Sequence, residues 1–402
     1  MRKEVFAQYI EKAARNEPVR RGSVIHTFQG CQYLLRNHHR EDKSPGREEI
    51  TAEMVSYAVG AHHGLFNCYG PQQEVHGFLS RASRENIGYQ EAVDYLLSGY
   101  GGESFIDALF SKAEEECDIF CGKVQKMLAC SMENRAQTGN TENLQKEIAR
   151  ECGFYLGMGT RMILSAVIEG DRRDTAAFMN GTEYAAFIKQ DEDIRSFWNR
   201  HLQNVERKLD AFPKDTSIQR ARGRISEMCR EHAAKGTGVF RLNVPTGAGK
   251  TISSLRYALA HAAIFEKRRI VFTAPLLSII DQNAAIIREY LEDDTIVLEH
   301  HTSLGEDSGG GEAAKDAGER EGAHGREREL NPKELLAESW DAPVIITSLV
   351  QLLQTLFSGR TSSIRRMHAL CGSIVVIDEV QSVPGNMLSL FNLAVNLLSE
   401  VF

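Results

Sequence analysis

Residues 244–251 read V-P-T-G-A-G-K-T. A string of this kind leaves its neighbourhood little choice. The β-branched run at 239–244 ahead of it reads as a strand, and the apolar run at 252–263 behind it reads as a helix. Between them, Gly247 and Gly249 let the backbone turn tightly and aim its N–H groups at phosphate oxygens. The N-terminus of the following helix adds positive potential at the same place. Lys250 is placed to neutralise β- and γ-phosphates, and Thr251 to give its hydroxyl to Mg2+. The first position of the loop is Val244, where the general pattern has glycine.

A second string, I-V-V-I-D-E-V-Q at 374–381, runs four apolar residues into two acids at what reads as the end of a buried strand. There Asp378 holds magnesium through water, and Glu379 orients the attacking water and accepts its proton. In this order, the two strings point to a nucleic-acid-stimulated ATPase motor. The catalytic set is Lys250, Asp378 and Glu379. ATP and Mg2+ fall to Thr246, Gly247, Ala248, Gly249, Lys250, Thr251 and Asp378.

Further candidate strands at 270–274, 295–298, 344–347 and 374–377 alternate with helical runs, which implies a mostly parallel sheet covered on both faces. Residues 1–205 differ. Apolar positions recur there at helical spacing, as in Phe105, Ile106, Leu109, Phe110 and Ala113, and 154–168 reads as a buried helix. The chain is thus multidomain: an all-α domain over 1–205, a linker at 206–216 around Pro213, and an α/β lobe over 217–402. Residues 303–332 are Gly-rich, highly charged and poor in large apolar groups, and read as a mobile insertion between two strands.

Composition narrows the class. A net charge of −8 shows no overall nucleic-acid affinity, but motor proteins grip the backbone through local grooves. The eight cysteines are scattered and include no Cys-x-x-Cys pair, so a disulfide framework is not expected. Cys117 and Cys121, one helical turn apart, read as sharing a helix face rather than a zinc ion. No signal peptide opens the chain, and the apolar stretch at 388–398 is too short and too interrupted to span a bilayer. A cytoplasmic, reducing location follows, with no membrane partner.

Two strings at strand ends carry short polar side chains suited to sequence-independent phosphate contacts. F-T-A-P-L-L-S-I-I-D-Q-N at 272–283 offers Pro275, Ser278 and Gln282. I-I-T-S-L-V-Q-L-L at 345–353 offers Thr347, Ser348 and Gln351, read as exposed. Helix capping explains such residues equally well. In the helical half, His26, the pair His62–His63, and Asp171 come from three helical segments. One buried histidine is ordinarily a satisfied core residue. Three with an aspartate also read as a site for a divalent transition metal, and both readings stand.

The order of these elements resembles the CRISPR-associated helicase-nuclease of type I interference systems. The resemblance rests on V-I-H-T-F-Q-G, A-H-H-G-L, E-G-D-R-R-D-T, P-T-G-A-G-K-T, A-P-L-L-S-I-I-D-Q-N, W-D-A-P-V-I-I-T-S and D-E-V-Q-S-V-P. It implies an HD-type nuclease domain followed by a RecA-like lobe of a superfamily-2 helicase. It implies that His26, His62, His63 and Asp171 bind Mn2+, Co2+, Ni2+ or Fe2+, and that the stretch bearing Gln219 and Arg222 flanks the adenine. It also implies ATP-driven movement on single-stranded DNA, cleavage of that strand, and contact with a crRNA-guided surveillance complex. The family's His-Asp pair and second lobe are expected beyond the two ends of this sequence, and on that expectation the chain is a poor ATPase and a weak metal binder. A phosphohydrolase of small phosphate esters fused to an ATPase, and a non-enzymatic remnant that binds DNA or protein, are the competing readings.

Overall fold

The structure is a computed structural model that describes residues 12, 15, 27–40, 46–65, 77–85, 87–99, 102–137, 143–180, 193–300 and 338–402. His26 and the insertion read at 303–332 lie outside the described residues. The chain divides into two compact units. One holds Met1–Tyr184 with Gly359–His368 and Val401; the other holds Ala185–Ser358 with Ala369–Glu400 and Phe402.

The described part of the first unit is helical: α1 (Phe28–His38), α2 (Arg47–Ala61), α3 (Phe78–Ala82), α4 (Tyr89–Gly99), α5 (Glu103–Gln137) and α6 (Leu144–Asn180). Phe28 and Cys31 on α1 pack on Phe78 and Ala82 of α3. Ala58 and Ala61 at the end of α2 pack on Leu164 and Ile168 of α6, and Ile364 joins them. Small residues on α2 let the bulkier stripe of α6 approach closely, the usual basis of helix packing. The segment Gly359–His368 is pinned to α6 by polar groups as well. The Ser165 hydroxyl donates to Arg365 O at 2.9 Å and accepts from the His368 amide at 2.8 Å. Arg365 Nε donates to Glu169 Oε2 at 2.5 Å, with both side chains buried. Sequence reading assigned this segment to the lobe over 217–402; Ile364 and Arg365 carry it into the first unit instead.

The second unit opens with α7 (Ile194–Asp210) and α8 (Ser217–His232), then α9 (Lys250–Phe265), β1 (Arg269–Ala274), α10 (Leu277–Leu291), β2 (Val297–His300), β3 (Val344–Ser348) and α11 (Leu349–Phe357). The short α12 (Thr361–Ile364) belongs to the first unit. Back in the second unit, β4 (Ser373–Ile377) and α13 (Leu388–Val401) complete the described elements. The strands form one parallel sheet in the order β2-β3-β1-β4, with Ile270 opposite both Val344 and Ile374. β1 and β3 are buried almost throughout, as a sheet covered on both faces requires.

Three sequence boundaries move. Residues 194–210 are helical and belong to the second unit, because Trp198 and Val205 are buried in its core with Leu255, Leu259 and Ile287. The link between α7 and α8 therefore spans only 211–216, shorter than the linker read at 206–216. The third strand forms at Val297–His300 rather than 295–298, since a turn at Asp294–Ile296 capped by Asp293 precedes it. The strand expected at 239–244 does not form. That segment joins no ladder, and Val239, Phe240 and Leu242 are exposed. Phe240 is held by ring contacts to His232 and Tyr257 instead, at 4.8 and 6.3 Å between centroids.

Among the described residues no helix is long and apolar enough to cross a membrane.

Candidate functional site

In the second unit, the phosphate loop is shaped by its glycines. Gly247 and Gly249 sit at φ +77° and +84°, the left-handed region open to glycine at little cost. The Ala248 amide bonds Pro245 O at 3.2 Å, which closes the turn through Thr246 and Gly247. Gly249 then caps α9, so Lys250 and Thr251 open the helix and its first-turn amides point to the loop. Arg222 Nε donates to Gly247 O at 2.7 Å and braces the loop from α8. Gln219 caps α8: its side chain accepts from the Thr216 amide at 2.9 Å, and its own amide donates to Thr216 Oγ1 at 3.2 Å. Arg222 therefore lies against the loop, while Gln219 is engaged at the start of its own helix.

The acidic pair arrives from the sheet. The Asp378 amide donates to Thr273 O at 2.9 Å, which extends β4 by one residue beside β1. Asp378 Oδ1 accepts from the Glu379 amide at 2.9 Å. Glu379 stands at φ +50°, a conformation that costs a non-glycine residue on the order of 1–3 kcal/mol and tends to occur where a side chain must be aimed. It is aimed at the loop: Glu379 Oε1 lies 3.7 Å from Lys250 Nζ. The Thr251 hydroxyl donates to Asn283 Oδ1 at 2.9 Å. Asn283 went unread in the sequence, although it closes the string at 272–283.

The helix behind the loop is anchored by a buried charge. Arg256 donates through Nε to Glu206 Oε1 at 2.8 Å and through Nη2 to Glu206 Oε2 at 2.5 Å, and pairs with Glu227 at 2.8 Å. A fork of this kind fixes α9 against α7 and α8. No local pattern signals it, because its three members come from three helices.

The six residues read as DNA contacts separate into two groups. Ser278 and Gln282 are exposed on the first turns of α10, and Pro275 is half-buried just before it. Thr347, Ser348 and Gln351 are buried, contrary to their reading as exposed. Thr347 Oγ1 donates to His300 O at 2.7 Å, and Ser348 Oγ accepts from the Gln351 amide at 3.2 Å as the cap of α11. Both hydroxyls are thus buried at the end of β3 and serve the backbone.

In the first unit, His62, His63 and Asp171 come together. One ligand atom from each lies within 4.8 Å of the others. The α2 helix ends at Ala61, and the turn closed by Gly64 N to Ala61 O at 2.9 Å presents both histidines. On α6, Leu164, Ile168 and Asp171 follow one another at helical spacing, so the stripe that packs on Ala58 and Ala61 carries the aspartate one turn further. His62 Nδ1 lies 2.6 Å from Val59 O. A carbonyl can only accept, so Nδ1 is the donor in that bond, and backbone anchoring through one ring nitrogen is the arrangement common to metal-binding histidines. Two imidazoles and a carboxylate suit a divalent transition metal. Metal–nitrogen bonds of about 2.0–2.1 Å place ligand atoms roughly 3–4 Å apart, so the group needs closure of only about an ångström. Among the described residues it is the one group of three His, Cys, Asp or Glu so placed.

A glycine loop thus faces an acidic strand end across the edge of a parallel sheet. The comparisons agree with the resemblance read from the motifs. The chain is 26% identical over 212 residues to the CRISPR-associated nuclease/helicase Cas3 of Haloferax volcanii, a match covering 48% of this chain and 22% of that protein. Two crystal structures of T. fusca Cas3 are similar to it at 13% identity. The one with ATP has a TM-score of 0.45 and covers 92% of this chain and 37% of that one. The one with AMPPNP has a TM-score of 0.37 and covers 93% and 40%. The chain thus spans less than half the length of these relatives. No family model matches it.

Proposed function

We propose that this chain is a Cas3-like part of a CRISPR helicase-nuclease. On this reading the first unit is an HD-type domain that cuts single-stranded DNA, and the second is a RecA-like lobe that binds MgATP. The observation that carries it is the pairing of Lys250 with Glu379, which brings the phosphate loop and the acidic strand end to one place. The curated relative's name, a nuclease/helicase, agrees.

ATP would enter with its phosphates over the Gly247–Lys250 backbone. Lys250 then leaves Glu379 for the β- and γ-phosphates, and its charge is met by the substrate instead. The released Glu379 carboxylate is left to orient a water against the γ-phosphate and take its proton. Thr251 exchanges Asn283 for the ion side of the phosphates, beside Asp378. Magnesium, when bound, neutralises the phosphate charge that Lys250 does not reach. Ser278 and Gln282 are the exposed candidates for a DNA backbone, which passes over the start of α10.

At the other site, His62 Nε2, His63 and Asp171 would hold the metal. A bound transition metal lowers the pKa of water and stabilises the leaving oxygen of a phosphodiester. The crRNA-guided complex is the partner this reading implies.

Equilibrium binding of a fluorescent ATP analogue with Mg2+ tests the proposal. Saturable binding displaced by ATP is expected, and Lys250→Ala should weaken it about ten- to a hundredfold, the loss of a charge-assisted contact. Absence of saturable binding, or binding indifferent to Lys250→Ala, overturns the nucleotide reading. Mn2+-dependent hydrolysis of small phosphate esters in preference to single-stranded DNA overturns the nuclease reading.

A further inference from the structure

Cys117 and Cys121 lie on successive turns of α5, half-buried, with their sulfurs 4.0 Å apart. Two outcomes are open to such a pair, and geometry separates them. A disulfide needs sulfurs about 2.05 Å apart and Cβ atoms about 3.8 Å apart. Residues four apart on a helix hold their Cβ atoms about 5–6 Å apart, so closing the bond would distort α5. Two sulfurs bound to one ion at about 2.3 Å each can stand up to about 4.6 Å apart, and 4.0 Å falls inside that limit.

The ligand count selects the ion. Among the described residues no third His, Cys, Asp or Glu joins these sulfurs to complete a group of three, since the only such group is His62, His63 and Asp171. A structural zinc ion takes four ligands, whereas a soft, low-coordinate cation is satisfied by two thiolates.

We infer that Cys117 and Cys121 form a bidentate thiolate clamp on α5 for a soft monovalent cation of the Cu(I) type. The clamp is separate in residues and in chemistry from the histidine group, which is built of harder nitrogen and oxygen donors.

The test is an anaerobic titration of the full chain with Cu(I) against a chromophoric Cu(I) chelator. One Cu(I) per chain should be captured. Cys117→Ser and Cys121→Ser should each weaken capture at least tenfold, with helical circular dichroism unchanged. Cys130→Ser and His62→Ala should leave it as in the wild type. Capture that survives the Cys117→Ser/Cys121→Ser double variant, or that falls with Cys130→Ser or His62→Ala, overturns the assignment. So does rapid formation of a Cys117–Cys121 disulfide on peroxide treatment, seen by mass spectrometry, because it would show that α5 yields where the geometry says it resists.

Discussion

The phosphate loop draws its shape from eight consecutive residues, whereas His62, His63 and Asp171 depend on two helices far apart in the chain. In the loop, the functional groups are backbone amides, freed by left-handed glycines and gathered at the start of α9. In the histidine group, they are side chains whose approach is set by Ala58, Ala61, Leu164 and Ile168. The first kind of site is robust to changes elsewhere in the fold and sensitive to one Cβ. The second is insensitive to any single backbone angle and depends on how α2 meets α6.

The largest expected effect breaks the second kind. Glu169, two residues before Asp171, carries the buried Arg365 and also receives a bond from Arg173. Glu169→Ala removes one partner of a buried ion pair with Arg365, which costs on the order of 3–5 kcal/mol. Thermal unfolding should show it, and Mn2+ binding at the histidine group should fall with it. Glu169→Gln, which keeps an acceptor for Arg365, should lose less. Equal losses in the two variants would mean that a neutral acceptor at 169 does nothing for Arg365 and that only the carboxylate charge holds it.

The complementary change breaks the first kind. Gly249→Ala forces a Cβ into φ +84°, at a cost of about 1–2 kcal/mol. Nothing lies within 4 Å of that Cβ, so the penalty is conformational alone. Affinity for a fluorescent ATP analogue should drop about tenfold, while Mn2+ binding at His62 and His63 holds. A matching loss at the metal group would show that the two sites are not built independently.

This contrast also explains what the amino-acid sequence reveals unaided. The loop, β1, β3 and β4 were readable because each is a local pattern: a glycine string or a short β-branched run. The grouping of His62, His63 and Asp171 came from pooling scattered residues, and packing alone could say that they meet. Two things were not readable. Arg365, Glu169 and Ile364 tie a segment from the C-terminal half to the first unit, and buried ion pairs of large sequence separation leave no local trace. Residues 239–244 have the composition of a strand, but a strand also needs a neighbour, and composition does not supply one.

The smallest effect concerns the residues whose local pattern pointed to the wrong role. Ser348 follows a strand and precedes a helix, which suits both a phosphate contact and a cap. The structure has it 7% exposed, with Oγ accepting from the Gln351 amide. Ser348→Ala removes that cap from the start of α11, worth about 1 kcal/mol. Denaturant unfolding should register the loss, and the affinity for labelled single-stranded DNA, read by anisotropy, should not change. Gln282→Ala, at an exposed position on α10, should do the reverse: little change in stability and weaker DNA binding. If Ser348→Ala lowered DNA affinity and left stability intact, the end of β3 would have to open on binding, and the division between backbone-serving and ligand-serving hydroxyls would fall with it.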